Sequence, residues 1–116
     1  MTIAIFGSPY PEHFTKYIQH LVKKLESEHI KIIVEEQFYI FLQNNIRLTN
    51  KKETFNSYES LKENADFLLS IGGDGTLLKA VTFVRESNIP IMGINTGRLG
   101  FISSISAGQI DDAIND

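Results

Sequence analysis

The sequence predicts an α/β fold, a mostly parallel sheet with helices on both faces. Short apolar runs near residues 2–6, 30–35, 67–71 and 91–94 alternate with longer segments of helical spacing. Strands that alternate with helices imply parallel pairing with both faces covered. The third run breaks into clustered glycines, Gly72-Gly73-Asp74-Gly75, before a helix restarts. In open α/β sheets the carboxyl ends of the strands are where ligands bind, and such a loop belongs there.

Taken in order, residues 2–6 (Thr-Ile-Ala-Ile-Phe) form a buried strand, which Gly7-Ser8-Pro9-Tyr10-Pro11 ends as a loop. Phe14, Ile18, Leu21, Val22 and Leu25 then recur at helical spacing with Lys16, Lys23, Lys24 and Glu26 between them, giving an amphipathic helix over 12–28. Ile32-Ile33-Val34 marks a second strand over 30–35 and completes one βαβ unit. Phe38, Tyr39, Phe41 and Leu42 fit one face of a short helix over 37–44, stopped by Asn44-Asn45. Residues 46–55 are expected to be exposed loop with a few apolar anchors, and a short helix follows Ser57. The strand at 67–71, the glycine loop and a helix to about residue 87 come next, with Asn88 and Pro90 ending the helical pattern. A strand over 91–94 runs into a second glycine-bearing loop, Asn95-Thr96-Gly97-Arg98-Leu99-Gly100-Phe101. Residues 102–105 look strand-like, and Ser106 with Gln109 forms a capping box for a last helix, with Asp111-Asp112 in its dipole-favoured first turn. The chain stops one or two turns into that helix, so it is expected to be an N-terminal fragment of a longer protein.

Composition removes several function classes. The 116 residues suffice for one domain with a core. A net charge of −3 without basic clusters argues against nucleic-acid binding. No apolar run reaches the length of a membrane span, and no basic segment precedes the first strand, so neither a membrane nor a signal peptide is expected. With no cysteine there are no disulfides or thiolate metal sites, and a cytoplasmic location is the default. His13, His20 and His29 share no metal-ligand spacing with carboxylates and are expected at the surface, so no protein metal ligand is assigned.

A strand that breaks into glycines and restarts as a helix suits phosphate: the backbone can approach closely, and the helix N-terminus offers free N–H groups. Asp74 repels phosphate and therefore has a separate task. One is capping, by accepting from the N–H of Thr76 or Leu77. The other is chemistry, as a proton acceptor for a hydroxyl or as a water-mediated metal holder. If the two glycine loops follow neighbouring strands, they face one cleft.

Neither loop is a P-loop or the Gly-x-Gly-x-x-Gly dinucleotide fingerprint. Together, however, Gly72-Gly73-Asp74-Gly75-Thr76-Leu77-Leu78 and Asn95-Thr96-Gly97-Arg98-Leu99-Gly100-Phe101 closely resemble the NAD kinase family. The first motif is shared with diacylglycerol and sphingosine kinases; the second, at this distance, separates the family from them. The flanking Ala65-Asp66 and the run from Pro90 to Asn95 fit the same pattern. The resemblance implies a Rossmann-like N-terminal domain of a two-domain enzyme whose β-rich C-terminal domain, absent here, supplies much of the dinucleotide site. It implies transfer of the γ-phosphoryl of ATP (or of polyphosphate) to the 2′-hydroxyl of the adenosine ribose of NAD, giving NADP. A divalent cation such as Mg²⁺ assists, and the full-length protein is a homo-oligomer. The isolated fragment is expected to be inactive.

By the same resemblance Asp74 is the base, and the amides of Gly72, Gly73, Gly75 and Thr76 cradle phosphate. Leu78 and Phe101 match apolar positions of the adenosine pocket, though each also reads as core. Lys79 matches a position near the ligand phosphates or is a solvated helix residue. Asn95 stabilises its turn or donates to ligand, and Arg98 is a solvated loop residue before it is a phosphate contact. The competing readings are a lipid kinase of the same superfamily and a non-catalytic nucleotide-binding domain in which Asp74 only caps a helix.

Overall fold

In the computed structural model, residues 1–62, 65–84 and 89–96 are described. Among these residues five strands form one parallel sheet: β1 (Thr2–Gly7), β2 (Lys31–Glu35), β3 (Glu53–Phe55), β4 (Phe67–Gly72) and β5 (Ile91–Asn95), in the order β3-β2-β1-β4-β5. Four helices accompany them among the described residues: α1 (Thr15–Ser27, entered through a 3₁₀ turn at Glu12–Phe14), α2 (Glu36–Gln43), α3 (Tyr58–Lys62) and α4 (Asp74–Val84).

The period-2 alternation of each strand divides its side chains between two cores. Ile3, Ile5, Ile32, Val34, Leu69, Ile71 and Ile94 face α1 and α2, where Ile18, Leu21, Val22, Leu25, Phe38 and Leu42 meet them. Ala4, Ile33, Phe55 and Leu68 face α3 and α4 through Leu61, Ala80 and Val84. The expected helical stripe on α1 and the aromatic group of α2 are thus core, with Tyr10 edge-on to Phe41 at a centroid distance of 4.9 Å.

Local chemistry sets the ends of the elements. The Glu35 carboxylate accepts from the amides of Gln37 (2.9 Å) and Phe38 (3.0 Å) and so starts α2 directly where β2 ends. Past α1 the chain turns at His29 in the left-handed region (φ 60°), with Ile30 N donating to Leu25 O and His29 N to Glu26 O, both at 3.1 Å. That is a Schellman ending with histidine where glycine is usual. His13, His20 and His29 are all exposed.

One expectation needs correcting. Residues 46–55 carry the expected apolar anchors, since Ile46 and Phe55 are buried, but they are not all loop: Glu53–Phe55 pairs with β2 in the register Ile33↔Glu53. The expected strand over 102–105 and the last helix lie outside the described residues.

The chain steps from β1 outward to β2 and β3, then returns to the other side of β1 for β4 and β5. The order reverses between β1 and β4, so the loops leaving these two strands diverge toward opposite faces and leave a crevice between them. The two strands whose ends carry the glycine motifs, β4 and β5, are parallel neighbours, with Gly72 paired to Asn95.

Candidate active site

Gly72-Gly73-Asp74-Gly75-Thr76 leaves β4 at this reversal point and is held from both flanking strands. Ser8 N donates to Ile71 O from the end of β1, and Thr96 N donates to Gly72 O from the end of β5, each at 3.0 Å. Gly72 carries φ +155°, and a Cβ there would lie 2.5 Å from Thr76 Oγ1 and 2.7 Å from Ser8 Oγ. This glycine lets the first turn of α4 and the β1 loop close over the strand end. Gly73 and Gly75 differ, since a Cβ on either meets no described atom within 4 Å. No described residue fills the space in front of them.

Asp74 is the first residue of α4, and Leu77 N donates to Gly73 O at 3.1 Å. One of the two amides a capping Asp74 would use therefore already serves the helix ladder. Asn95 Nδ2 donates to Asp74 Oδ1 at 3.5 Å, the long limit for such a bond, across the gap between the ends of β5 and β4. The Thr76 hydroxyl, largely buried, faces Ser8 Oγ at 2.7 Å.

Of the remaining expected residues, Leu78 is 68% exposed, which removes its alternative reading as core. It stands four residues after Asp74 and so shares its helix face, and Val81, one turn further, is 50% exposed. Lys79 is exposed on α4. Phe101 and Arg98 lie outside the described residues. The structure therefore brings together Gly72, Gly73, Asp74, Gly75, Thr76 and Asn95, with Leu78 and Lys79 on the adjoining turn.

Two contributors are new. Ser8 and Thr96 both touch the loop, and Thr96 is buried. The signal for Ser8 was its position directly after the first strand, but that points to the crevice only once β1 and β4 are known to be neighbours. Also on the β1 loop, Tyr10 is buried, and its hydroxyl finds no hydrogen-bond partner among the described residues. Burial pushes its pKa up to about 12, so it holds its proton at neutral pH. Among the described residues no three acidic or histidine side chains cluster as a metal site, and no helix is long and apolar enough to cross a membrane.

Comparison with known proteins bears on the family and the fold. A family model described as the ATP-NAD kinase N-terminal domain matches residues 3–116. The NAD kinase of Christiangramia forsetii is 36% identical over 116 residues, covering all of this chain and 40% of that protein. The NAD kinase of Flavobacterium psychrophilum is 40% identical over 111 residues, 96% of this chain and 38% of that one. Among solved structures, a yeast NADH kinase crystallised with NADH superposes with a TM-score of 0.75 over 99% of this chain and 37% of its own, at 17% identity, which shows a shared fold. The chain thus spans about 40% of the length of the curated relatives it matches. On the strength of that family match, and of relatives above the level at which folds and motifs are shared, the chain belongs to the family of the ATP-NAD kinase N-terminal domain.

Proposed function

We propose that the full-length protein is an NAD kinase and that this chain is the N-terminal, Rossmann-like half of its active site, completed by a β-rich C-terminal domain. The observation that carries the reading is the Asp74 carboxylate at the first turn of α4 in the crevice of the sheet, with Asn95 against it and glycines on both sides whose Cβ positions meet no described atom within 4 Å.

A ribose hydroxyl is a weak nucleophile at neutral pH. Asp74 takes the proton of the 2′-hydroxyl of NAD as that oxygen bonds to the γ-phosphorus of ATP, and the bond to the β–γ bridging oxygen breaks to release ADP. The amides of Gly73, Gly75 and Thr76, at the positive end of α4, meet phosphate oxygens that would repel Asp74 alone. Asn95 lies against the carboxylate, its Nδ2 3.5 Å from Asp74 Oδ1. Leu78, exposed on the turn after Asp74, gives an apolar wall to the adenosine once the C-terminal domain covers it, and Lys79 adds charge near the phosphates; by the family resemblance Phe101 belongs to the same pocket. A single carboxylate with amide and hydroxyl neighbours suits Mg²⁺, which is held mainly by substrate phosphates and water. When bound, the cation neutralises charge on the phosphates. ATP is the proposed donor, with polyphosphate the alternative. We place the full-length protein in the cytoplasm as a homo-oligomer, and the net charge of −3 and the lack of cysteine in this chain are in keeping with a domain that binds neither nucleic acid nor membrane.

The test is NADP formation from NAD, ATP and Mg²⁺ by the full-length protein and its Asp74→Asn variant. Asparagine caps a helix about as well as aspartate, so stability should hold while turnover falls by roughly 10²-fold or more. Near-normal turnover in the variant would leave Asp74 a capping residue and remove the catalytic reading.

A further inference from the structure

We propose that Ser8, on the loop leaving β1, is a positioning residue: its hydroxyl anchors Thr76 and thereby fixes the first turn of α4, which carries Asp74. The part of this inference that concerns turnover rests on the function proposed above.

The two hydroxyl oxygens are 2.7 Å apart across 68 residues of sequence. Both close over the same atom, because a Cβ at Gly72 would sit within 2.7 Å of each. The contact therefore exists only because residue 72 has no side chain. The backbone of Ser8 is itself set by the sheet, its amide donating to Ile71 O at 3.0 Å as the β1–β4 ladder runs out. Ser8 thus offers its hydroxyl from a fixed point. At the other end, Thr76 is β-branched and buried, with few side-chain rotamers open to it. Pinning its oxygen pins the backbone of the first helical turn, two residues after Asp74. On the opposite side the loop is held at Gly72 by Thr96 N and, more loosely, at Asp74 by Asn95. The Ser8–Thr76 contact adds anchorage from the β1 side. Small displacements of a catalytic group lower rates steeply, so a residue acting only through Thr76 can still govern turnover.

The experiment uses the full-length protein with Ser8→Ala, Ser8→Thr, Thr76→Val and the Ser8→Ala/Thr76→Val double variant. Steady-state kinetics are combined with hydrogen exchange of the amides from Gly75 to Leu77. The anchor predicts a kcat for Ser8→Ala lower by roughly tenfold, with the KM values for NAD and ATP within about twofold and kcat recovered in Ser8→Thr, which keeps the hydroxyl. It also predicts faster exchange at Leu77 in Ser8→Ala, and no further loss when Ser8→Ala is added to Thr76→Val. Unchanged exchange, additive losses, or a rise in KM for ATP at constant kcat would overturn it; the last would make Ser8 a direct ligand contact. If the wild-type protein makes no NADP, the proposed function fails, and the exchange measurement still decides whether Ser8 holds the turn.

Discussion

At Gly72, φ is +155° and a Cβ would fall 2.5 Å from Thr76 Oγ1, whereas at Gly73 and Gly75 the same addition meets nothing described within 4 Å. Three glycines in one motif therefore do different work. Gly72→Ala must shift either the first turn of α4 or the Ser8 loop, and adopts a backbone angle unfavourable to an L side chain. Its expected cost is about 1–3 kcal/mol, read as a lower denaturation midpoint of the full-length protein. Gly75 lies inside α4, so Gly75→Ala should leave stability equal or raise it by up to about 1 kcal/mol, while obstructing ligand and lowering NADP formation. Equal destabilisation by both variants would contradict this division. Asp74 was legible in the sequence because a carboxylate inside a glycine loop of the kind suited to phosphate is an anomaly in itself. Ser8 was not, because its partner is 68 residues away and nothing local distinguishes it from any serine that ends a strand.

Among the elements, β3 escaped sequence reading for a related reason. Glu53-Thr54-Phe55 is too short to show alternation, and its strand character comes from pairing with β2, a non-local cause. The segment leading to it is strapped to α1 at two points. The Gln19 side chain exchanges two bonds with the Arg47 backbone, at 2.7 and 2.6 Å. Seven residues on, Glu26 accepts from Thr49 Oγ1 at 2.9 Å and from Lys52 Nζ at 2.5 Å. Gln19 and Glu26 lie on one face of α1, which is why a single helix secures the whole approach to β3. Burial pushes the Glu26 carboxyl up, but the bonds from Lys52 and Thr49 and the charge of Lys52 outweigh it, and its pKa falls below the ordinary 4.5. A folded-state value below the unfolded one adds stability above the unfolded value, and this is lost as pH falls through the folded one. Glu26→Gln should therefore destabilise the protein by about 1–2 kcal/mol at pH 7, and the gap to wild type should close as acid protonates Glu26. Denaturation midpoints across that range test it; a gap independent of pH would assign the loss to packing instead.

Over the whole molecule, the alternation of apolar runs with helical spacing was enough to read a parallel α/β sheet, because each strand and helix must bury a face and declares its period in doing so. The order β3-β2-β1-β4-β5 was not readable, since no local pattern says which strands are neighbours. Yet that order turns two loops distant in sequence into one crevice and sets how firmly each strand is held. β1 is paired on both sides, in register with β2 and β4, and Ala4 and Ile5 are fully buried within it. β4 is likewise paired on both sides, with Leu68 and Ile71 fully buried. β3 pairs among the described residues only with β2, over three residues. Local opening requires the least where pairing and burial are least. Amide hydrogen exchange of the full-length protein should therefore be slowest in β1 and β4, intermediate in β2 and fastest in β3 and the 44–52 segment. The glycine loop would then hang from the two most persistent strands of the sheet, and its own mobility would be set by the contacts at Ser8, Thr76 and Thr96 rather than by the strands. Exchange in β4 as fast as in β3 would break that chain of reasoning, because the loop would then move with its strand.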